Sequence, residues 1–248
     1  MRLSVVLPAY NEAQDLPPLL ARIVATLGRL PVAYRIIVID DGSTDATASV
    51  VRNAALTAPV ELVQHPRNLG LGAALRTGLT VDHSAEDVII LMDADNSHDP
   101  ELIPALLKRI EEGYDVVIAS RFQLGGEMVG VPWHRVLLST IAGYGLRFLF
   151  RLPGVRDYSC GYRAYRGEIL NRLNQTYGTA IITENDFAGM LELLVRLGKI
   201  GARFSEIPLI LRYDLKVGAS KMKVIYTMAR YVAVLRKNLS VRTLRGLA

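Results

Sequence analysis

Apolar positions in the first half of the chain fall into short unbroken runs at 3–7, 34–39, 60–63, 88–92 and 116–119. Runs of that length without alternation are the pattern of strands covered on both faces, as in a parallel sheet. Between them, at 15–28, 44–56, 70–81 and 100–112, apolar residues return at helical spacing. Strands alternating with helices of this size predict βαβ units. Helix starts are marked as well. Asp45 or Ser43 can cap the second helix, and Asp99-Pro100-Glu101 supplies a cap, a first-turn proline and an acid for the helix dipole. The second half changes character, with helical stretches at 134–151 and 186–198, a loop from Asp157 to Gly161, a strand at 204–211 and a basic helix at 221–238. No internal repeat or low-complexity linker is found.

The fourth apolar run stops at Met92 and is followed by Asp93-Ala94-Asp95. Residues i and i+2 of an extended chain point the same way, so the two carboxylates can share one hard divalent cation and leave room for phosphates. An ordinary acidic turn is the plainer account of the same three residues. Two further loops follow predicted strands: Pro8-Ala9-Tyr10-Asn11-Glu12 and Asp40-Asp41-Gly42-Ser43-Thr44-Asp45. Three such loops lie on the edge where open α/β sheets hold nucleotides. There Asp41 can accept from a base or ribose, and Tyr10 can stack.

Composition adds a basic bias. The chain has 248 residues, half of them hydrophobic, with 29 Lys+Arg against 24 Asp+Glu and a sequence pI near 9.4. The excess gathers at the end, where eight Lys/Arg and no acid follow Asp214. That favours nucleic acid, anionic lipid or phosphorylated substrates as partners. Cys160 is the single cysteine, so no intrachain disulfide forms and a reducing compartment is expected. No apolar run reaches the ~20 residues of a membrane span, and Arg147 and Arg151 break the nearest, at 136–146. Met1 leads straight into the first strand with no signal peptide, so a cytoplasmic protein is expected. Gly70-Leu71-Gly72 lacks the third glycine of a dinucleotide fingerprint and reads as a tight packing contact. His98 reads as a turn residue behind the carboxylates and Cys160 as a packed thiol.

Taken together, Leu7-Pro8-Ala9-Tyr10-Asn11-Glu12, Ile39-Asp40-Asp41-Gly42-Ser43-Thr44-Asp45, Asn68-Leu69-Gly70-Leu71-Gly72, Met92-Asp93-Ala94-Asp95-Asn96-Ser97-His98, Ala119-Ser120-Arg121, Ser159-Cys160-Gly161-Tyr162-Arg163, Glu206-Ile207-Pro208 and Gly218-Ala219-Ser220-Lys221 run in order over nearly the whole chain. On these the chain resembles the family 2 glycosyltransferases of GT-A fold, and among them the dolichyl-phosphate (polyprenyl-phosphate) mannose synthases. The resemblance implies an α/β, Rossmann-like, mostly parallel sheet flanked by helices, with C-terminal amphipathic interface helices. It divides the chain into a transferase domain at 1–223 (a nucleotide-sugar half at 1–122 and an acceptor half at 123–223) and a basic tail at 224–248.

The resemblance also implies roles. Pro8, Tyr10, Glu12, Ile39 and Asp41 would hold the nucleotide, and Asp93, Ala94, Asp95 and Asn96 the diphosphate. Asp93 and Asp95 would hold Mg2+ or Mn2+. Ser97 stands where some members have a glutamine. Arg121, Arg135 and Ser139 would face the acceptor phosphate. Arg135 and Ser139 are four apart, hence on one helix face. Lys221 belongs to the Gly-X-Ser-Lys motif and, with Arg121, counts as catalytic and donor-binding. The family's usual arginine before that motif is replaced by Leu215, which leaves Lys216 or Arg212 for the role. Glu184, Asn185, Asp186 and Glu192 are candidates for the acceptor side, with a solvated helix face as the other account of Glu184 and Asp186. The implied reaction moves a hexose, mannose favoured, from a nucleoside diphosphate sugar, GDP-mannose favoured, to polyprenyl phosphate with inversion. No nucleic acid is implied. A soluble or polysaccharide acceptor, or an inactive membrane-associated scaffold, stands as the alternative. Val136, Leu137, Thr140, Ile141, Tyr144 and Phe148 form an apolar stripe, and Lys223, Arg230 and Lys237 recur on one face of the last helix. Both patterns suit peripheral attachment to an anionic membrane surface, with or without a membrane-anchoring partner. A core-packed amphipathic helix suits the last one equally.

Overall fold

The computed structural model describes residues 2–217 together with 227, 230–232 and 234. In chain order these form β1 (Arg2–Ala9), α1 (Leu16–Leu27), β2 (Ala33–Asp40), α2 (Thr47–Ala54), β3 (Val60–Gln64), α3 (Leu71–Leu79), β4 (Val88–Leu91), α4 (Ile103–Glu111), β5 (Val116–Ser120), β6 (Glu127–Val129), α5 (Trp133–Phe150), β7 (Arg163–Arg166), α6 (Gly167–Tyr177), α7 (Ala188–Lys199), β8 (Phe204–Pro208) and β9 (Ile210–Arg212). Seven strands make one sheet in the order β3-β2-β1-β4-β7-β5-β8. Every pairing in it is parallel except those of β7, which runs antiparallel between β4 and β5. All residues of β4 and β5 are buried, as unbroken apolar runs require when helices cover both faces.

The five expected strands of the first half are all present, and the helices between them begin and end within a few residues of their expected limits. The second helix starts at Thr47 with Ala46 at its cap position and no side-chain cap; Asp45 Oδ1 accepts from Thr47 N at 2.9 Å in the turn before it. Asp99 caps the turn before α4 by accepting from Glu101 N. Three features depart from the sequence pattern. The expected strand at 204–211 is broken at Leu209, and its second part leaves the large sheet to pair with β6. β7 is Arg-Ala-Tyr-Arg, which carries no apolar run. α6 follows it with a mostly polar sequence, burying only Gly167, Ile169, Leu170 and Leu173.

One helix stands apart from the core. α5 has 18 residues, of which only Leu146 is buried. Trp133, Leu137, Ile141, Tyr144 and Phe148 are each more than half exposed, and their spacing of four, four, three and four keeps them on one side of the helix. No helix of the described residues is long and apolar enough to cross a membrane.

Candidate active site

Parallel pairing of β1 with β2 and β4 brings the loops after these strands to one edge. Pro8 and Ile39 are direct register partners there. Asn11 adopts a positive φ of 53°. Its amide donates to Ser43 Oγ at 2.9 Å, and its side-chain oxygen accepts from Thr44 N at 2.8 Å. Glu12 N donates to Thr47 Oγ1 at 2.9 Å. Tyr10 is partly exposed at the edge, whereas Glu12 is buried. Asp41 faces inward. Its carboxylate accepts from Leu69 N and Gly70 N at 2.9 and 2.8 Å and meets His65 Nδ1 at 2.7 Å. It therefore organises the 65–70 loop beneath the nucleotide edge. Gly72 is explained by contact with the same region: a Cβ there would lie 1.9 Å from the carbonyl oxygen of Glu184. The glycines let loop 184–185 pack on the start of α3, which is a helix–loop contact where a strand–helix contact was expected.

Asp93 and Asp95 follow β4 and behave differently. The Asp93 side chain is 43% exposed and that of Asp95 13%. Burial among protein atoms raises the Asp93 pKa, and the neighbouring charge of Asp95 adds to it. Burial opposes ionisation of Asp95 too, but Lys216 and His98 outweigh it and its pKa is lowered. Lys216 Nζ lies 2.6 Å from Asp95 Oδ2, and Ser97 Oγ donates to Oδ1 at 2.5 Å. His98 is a turn residue: its Nδ1 accepts from Asp93 N at 3.2 Å and its ring stacks on Tyr162. Asn96 has φ 58°, and Arg22 holds it there, donating to Asn96 Oδ1 at 2.9 Å and to Asp99 at 2.8 Å. Nothing in the sequence pattern singled out Arg22, because it lies on a helix 74 residues away.

No group of three or more His, Cys, Asp and Glu converges on one point among the described residues. A magnesium-like ion needs no such cage, since one or two carboxylates suffice when substrate phosphates and water complete its shell. Two adjacent carboxylates, one already compensated by a lysine ammonium, form a locus that attracts positive charge. The donor set fits a divalent cation held by Asp93 and Asp95.

On the other side, Arg121 follows β5 and is gripped by Asp157. Its Nε and Nη2 donate to the two Asp157 oxygens at 2.8 and 2.7 Å, and Nη2 also reaches Ser159 Oγ at 2.7 Å. Asp157 is fully buried. Burial alone would raise its pKa, but the Arg121 charge and hydrogen bonds depress it below its ordinary value. Arg135 Nη1 donates to Tyr213 Oη at 3.1 Å. The Tyr213 ring lies 6.0 Å from the Arg135 guanidinium and 5.7 Å from Lys216 Nζ, so a chain of contacts runs from Asp95 through Lys216 and Tyr213 to Arg135. Ser139 is half-buried one turn further along α5. Of the two candidates for the missing arginine, Arg212 is paired with Asp214 at 2.7 Å and Lys216 is the one at the site. Lys221 lies outside the described residues.

One expectation needs correction, and two further residues are placed by their partners. Glu184 is fully buried, so it belongs to no solvated face. Glu192 faces the backbone: it accepts from Thr183 N and Glu184 N and pairs with Arg196. Arg230, expected on a lipid-facing side, pairs with Glu184 and Asp186; Lys223 and Lys237 lie outside the described residues. Cys160 is buried, and burial followed by the nearby Asp157 charge pushes its thiol up to about 12, which leaves it packed and un-ionised.

Residues 4–173 match the family described as Glycosyl transferase family 2. The chain belongs to this family. Among curated relatives, polyprenol monophosphomannose synthase of Mycolicibacterium smegmatis is 33% identical over 89% of this chain and 81% of its own length. Dolichol-phosphate mannosyltransferase of Pyrococcus furiosus is 31% identical over 96% of this chain and 64% of its own. The fold is shared with glucosyl-3-phosphoglycerate synthase from Mycobacterium tuberculosis, solved in complex with Mn2+, uridine diphosphate and phosphoglyceric acid. That match has a TM-score of 0.71 at 19% identity and covers 96% of this chain and 78% of that one. The transferase thus has the GT-A, mostly parallel architecture that its motifs imply.

Proposed function

We propose that this family 2 transferase moves a hexose, mannose favoured, from a nucleoside diphosphate sugar, GDP-mannose favoured, to polyprenyl phosphate at the cytoplasmic surface of a membrane. The observation that supports this most is the line of contacts from Asp95 through Lys216 and Tyr213 to Arg135, which ends at the foot of the exposed apolar stripe of α5. A carboxylate pair for the donor diphosphate, cations for a second phosphate and an apolar track beyond them suit a lipid phosphate acceptor. The relatives named for polyprenol and dolichol phosphate support the same acceptor class.

The chemistry asks little of a base. A phosphate monoester has its second pKa near 6 and arrives anionic, whereas a sugar hydroxyl would need deprotonation. The protein's task is to bring two anionic groups together. Arg121, fixed by Asp157, would hold the acceptor phosphate in line with the anomeric carbon together with Arg135 and Lys216. Pro8, Tyr10, Glu12 and Ile39 would line the nucleotide, with Asp41 setting the loop beneath it. Mg2+ or Mn2+, held by Asp93 and Asp95, would supply neutralisation of the leaving diphosphate. A single displacement inverts the anomeric centre.

The test is a screen of radiolabelled nucleotide sugars against a short, water-soluble polyprenyl phosphate, with and without exhaustive chelation. Transfer from GDP-mannose that is lost on chelation and in Asp95→Asn, by about a hundredfold or more, is the expected result. Transfer to a soluble sugar but not to polyprenyl phosphate overturns the acceptor; full activity without metal overturns the role of the carboxylate pair.

A further inference from the structure

The far end of α5 carries a second basic feature that the transfer reaction leaves unused. A cavity of about 500 Å³ opens between the end of α5, the 151–156 loop, the end of α4 and the edge strand β8. Four arginines line it: Arg109, Arg147, Arg151 and Arg156. Arg109 is paired with Glu112 at 2.7 Å. The other three have no carboxylate partner among the described residues, unlike Arg2, Arg22, Arg29, Arg121, Arg196 and Arg212. The Arg156 guanidinium donates to Gln123, and Arg151 lies over the Phe148 ring at 5.1 Å. At the floor is Glu206, 6% exposed. Its Oε1 accepts from Arg156 N and Asp157 N. Its Oε2 is buried beside the Ser120 hydroxyl, and burial raises the Glu206 pKa although the Asp157 and Arg156 amides and Ser120 oppose the rise.

We propose that this cavity is a docking site for the headgroup of an anionic membrane phospholipid, a phosphodiester whose distal part carries hydroxyls, as in phosphatidylglycerol. The phosphodiester lies among Arg147, Arg151 and Arg156, and a glycerol hydroxyl donates to Glu206 Oε2. A bare phosphate offers no such donor and sets its extra charge against the carboxylate. The zwitterionic phosphocholine headgroup has no N–H or O–H donor and little net attraction to three cations. The acyl chains follow Phe148, Tyr144 and Ile141, the exposed apolar side of α5, whose last ring lies under Arg151 of the cavity lining. Arg147 is twelve residues beyond Arg135 on this helix, about 18 Å at 1.5 Å per residue. A bilayer lipid at one end and the acceptor phosphate at the other therefore hold α5 along the membrane plane. The inference rests on the membrane-surface reading above and adds to it a specific lipid.

The experiment is co-sedimentation of the full chain with phosphatidylcholine vesicles, alone or carrying one part in three of phosphatidylglycerol or phosphatidic acid. It is paired with turnover on the short soluble acceptor. Expected are preference for phosphatidylglycerol over both other compositions, and a loss of about ten- to thirtyfold in that binding for Arg147→Gln/Arg151→Gln, with soluble turnover unchanged. A control of equal charge on remote helices, Arg52→Gln/Arg172→Gln, should lose little. Equal losses in both pairs would mean diffuse charge and no site. Preference for phosphatidic acid would remove the role of Glu206. A wild-type dimer in solution that buries the α5 stripe and ignores vesicles would make this face an interface between copies. Absence of turnover with intact lipid preference would sink the transfer reaction and leave the lipid site standing.

Discussion

Around Asp41 the carboxylate oxygens meet backbone amides and a histidine, and the residue is 3% exposed. Around Arg135 the contacts include a tyrosine hydroxyl and its ring, on a helix that buries a single residue. The edge proposed for the nucleotide is thus preorganised by buried strands and loops that satisfy one another. The side proposed for the acceptor joins largely buried or half-buried cations to a helix whose apolar stripe is exposed. Preorganisation suits a donor that is the same at every turnover, because fixed groups cost no reordering on binding. An open face suits an acceptor delivered by a surface that itself covers the apolar residues.

Breaking the one tightly buried link of the acceptor side should have the largest effect. Asp157→Ala leaves the Arg121 guanidinium buried without its counter-charge, which costs about 3–5 kcal/mol, read as the shift in denaturant midpoint. The pH dependence has a definite sign. The Asp157 pKa is lower in the folded protein than in the unfolded chain, so its contribution is complete above the unfolded value and disappears as pH falls through the folded one. Acid unfolding should therefore steepen below about pH 4 in wild type, and this component should be missing in Asp157→Asn. An unchanged acid limb in the variant would mean that the pair does not govern it.

The next effect separates the two sides directly. Arg135→Ala should lower catalytic efficiency for a soluble polyprenyl phosphate by about ten- to a hundredfold, the loss of a charge-assisted hydrogen bond of roughly 1.5–3 kcal/mol. Calorimetry should show donor affinity nearly intact. Asp41→Ala should do the reverse, weakening the donor first and lowering stability through the loosened 65–70 loop. Parallel effects of both variants on donor and acceptor would erase the distinction. The smallest effect is on stability of the apolar stripe: Ile141→Ser, at a position 57% exposed, should move folding free energy by no more than about 0.5 kcal/mol while reducing vesicle binding. A loss of several kcal/mol would mean that the stripe packs against protein.

The same contrast explains what could be read from the sequence. Unbroken apolar runs ending in Asp93-Ala94-Asp95 or Asp40-Asp41 announce both the strand and its exposed end, because burial on two faces leaves only one composition. β7 escaped because its buried Arg163 is satisfied by the carbonyls of Tyr158 and Met190, an arrangement that only the assembled fold creates. The clamps Arg22 on Asn96 and Lys216 on Asp95 join positions 74 and 121 residues apart, beyond any local pattern. Spacing put Lys216 closer than Arg212 to the expected place, and the fold adds the reason for the choice, since Asp214 takes Arg212. Glu184 looked like a helix-surface acid because its partner, Arg230, lies 46 residues downstream.

The antiparallel strand β7 also constrains how the chain is made. It fills the gap between β4 and β5, pairing with Val88–Leu91 across some 75 positions of sequence. Until residues 163–166 have emerged from the ribosome, both neighbours present open apolar edges, and such edges recruit other chains. Loop closure over that distance precedes any reward from the contacts, so the sheet should be completed late and slowly. A polypeptide cut at residue 122 would contain every nucleotide-edge motif and still lack the strand that seals the sheet; it should be recovered as aggregate. The first half of this molecule carries the recognisable chemistry, but its solubility is a property of the second.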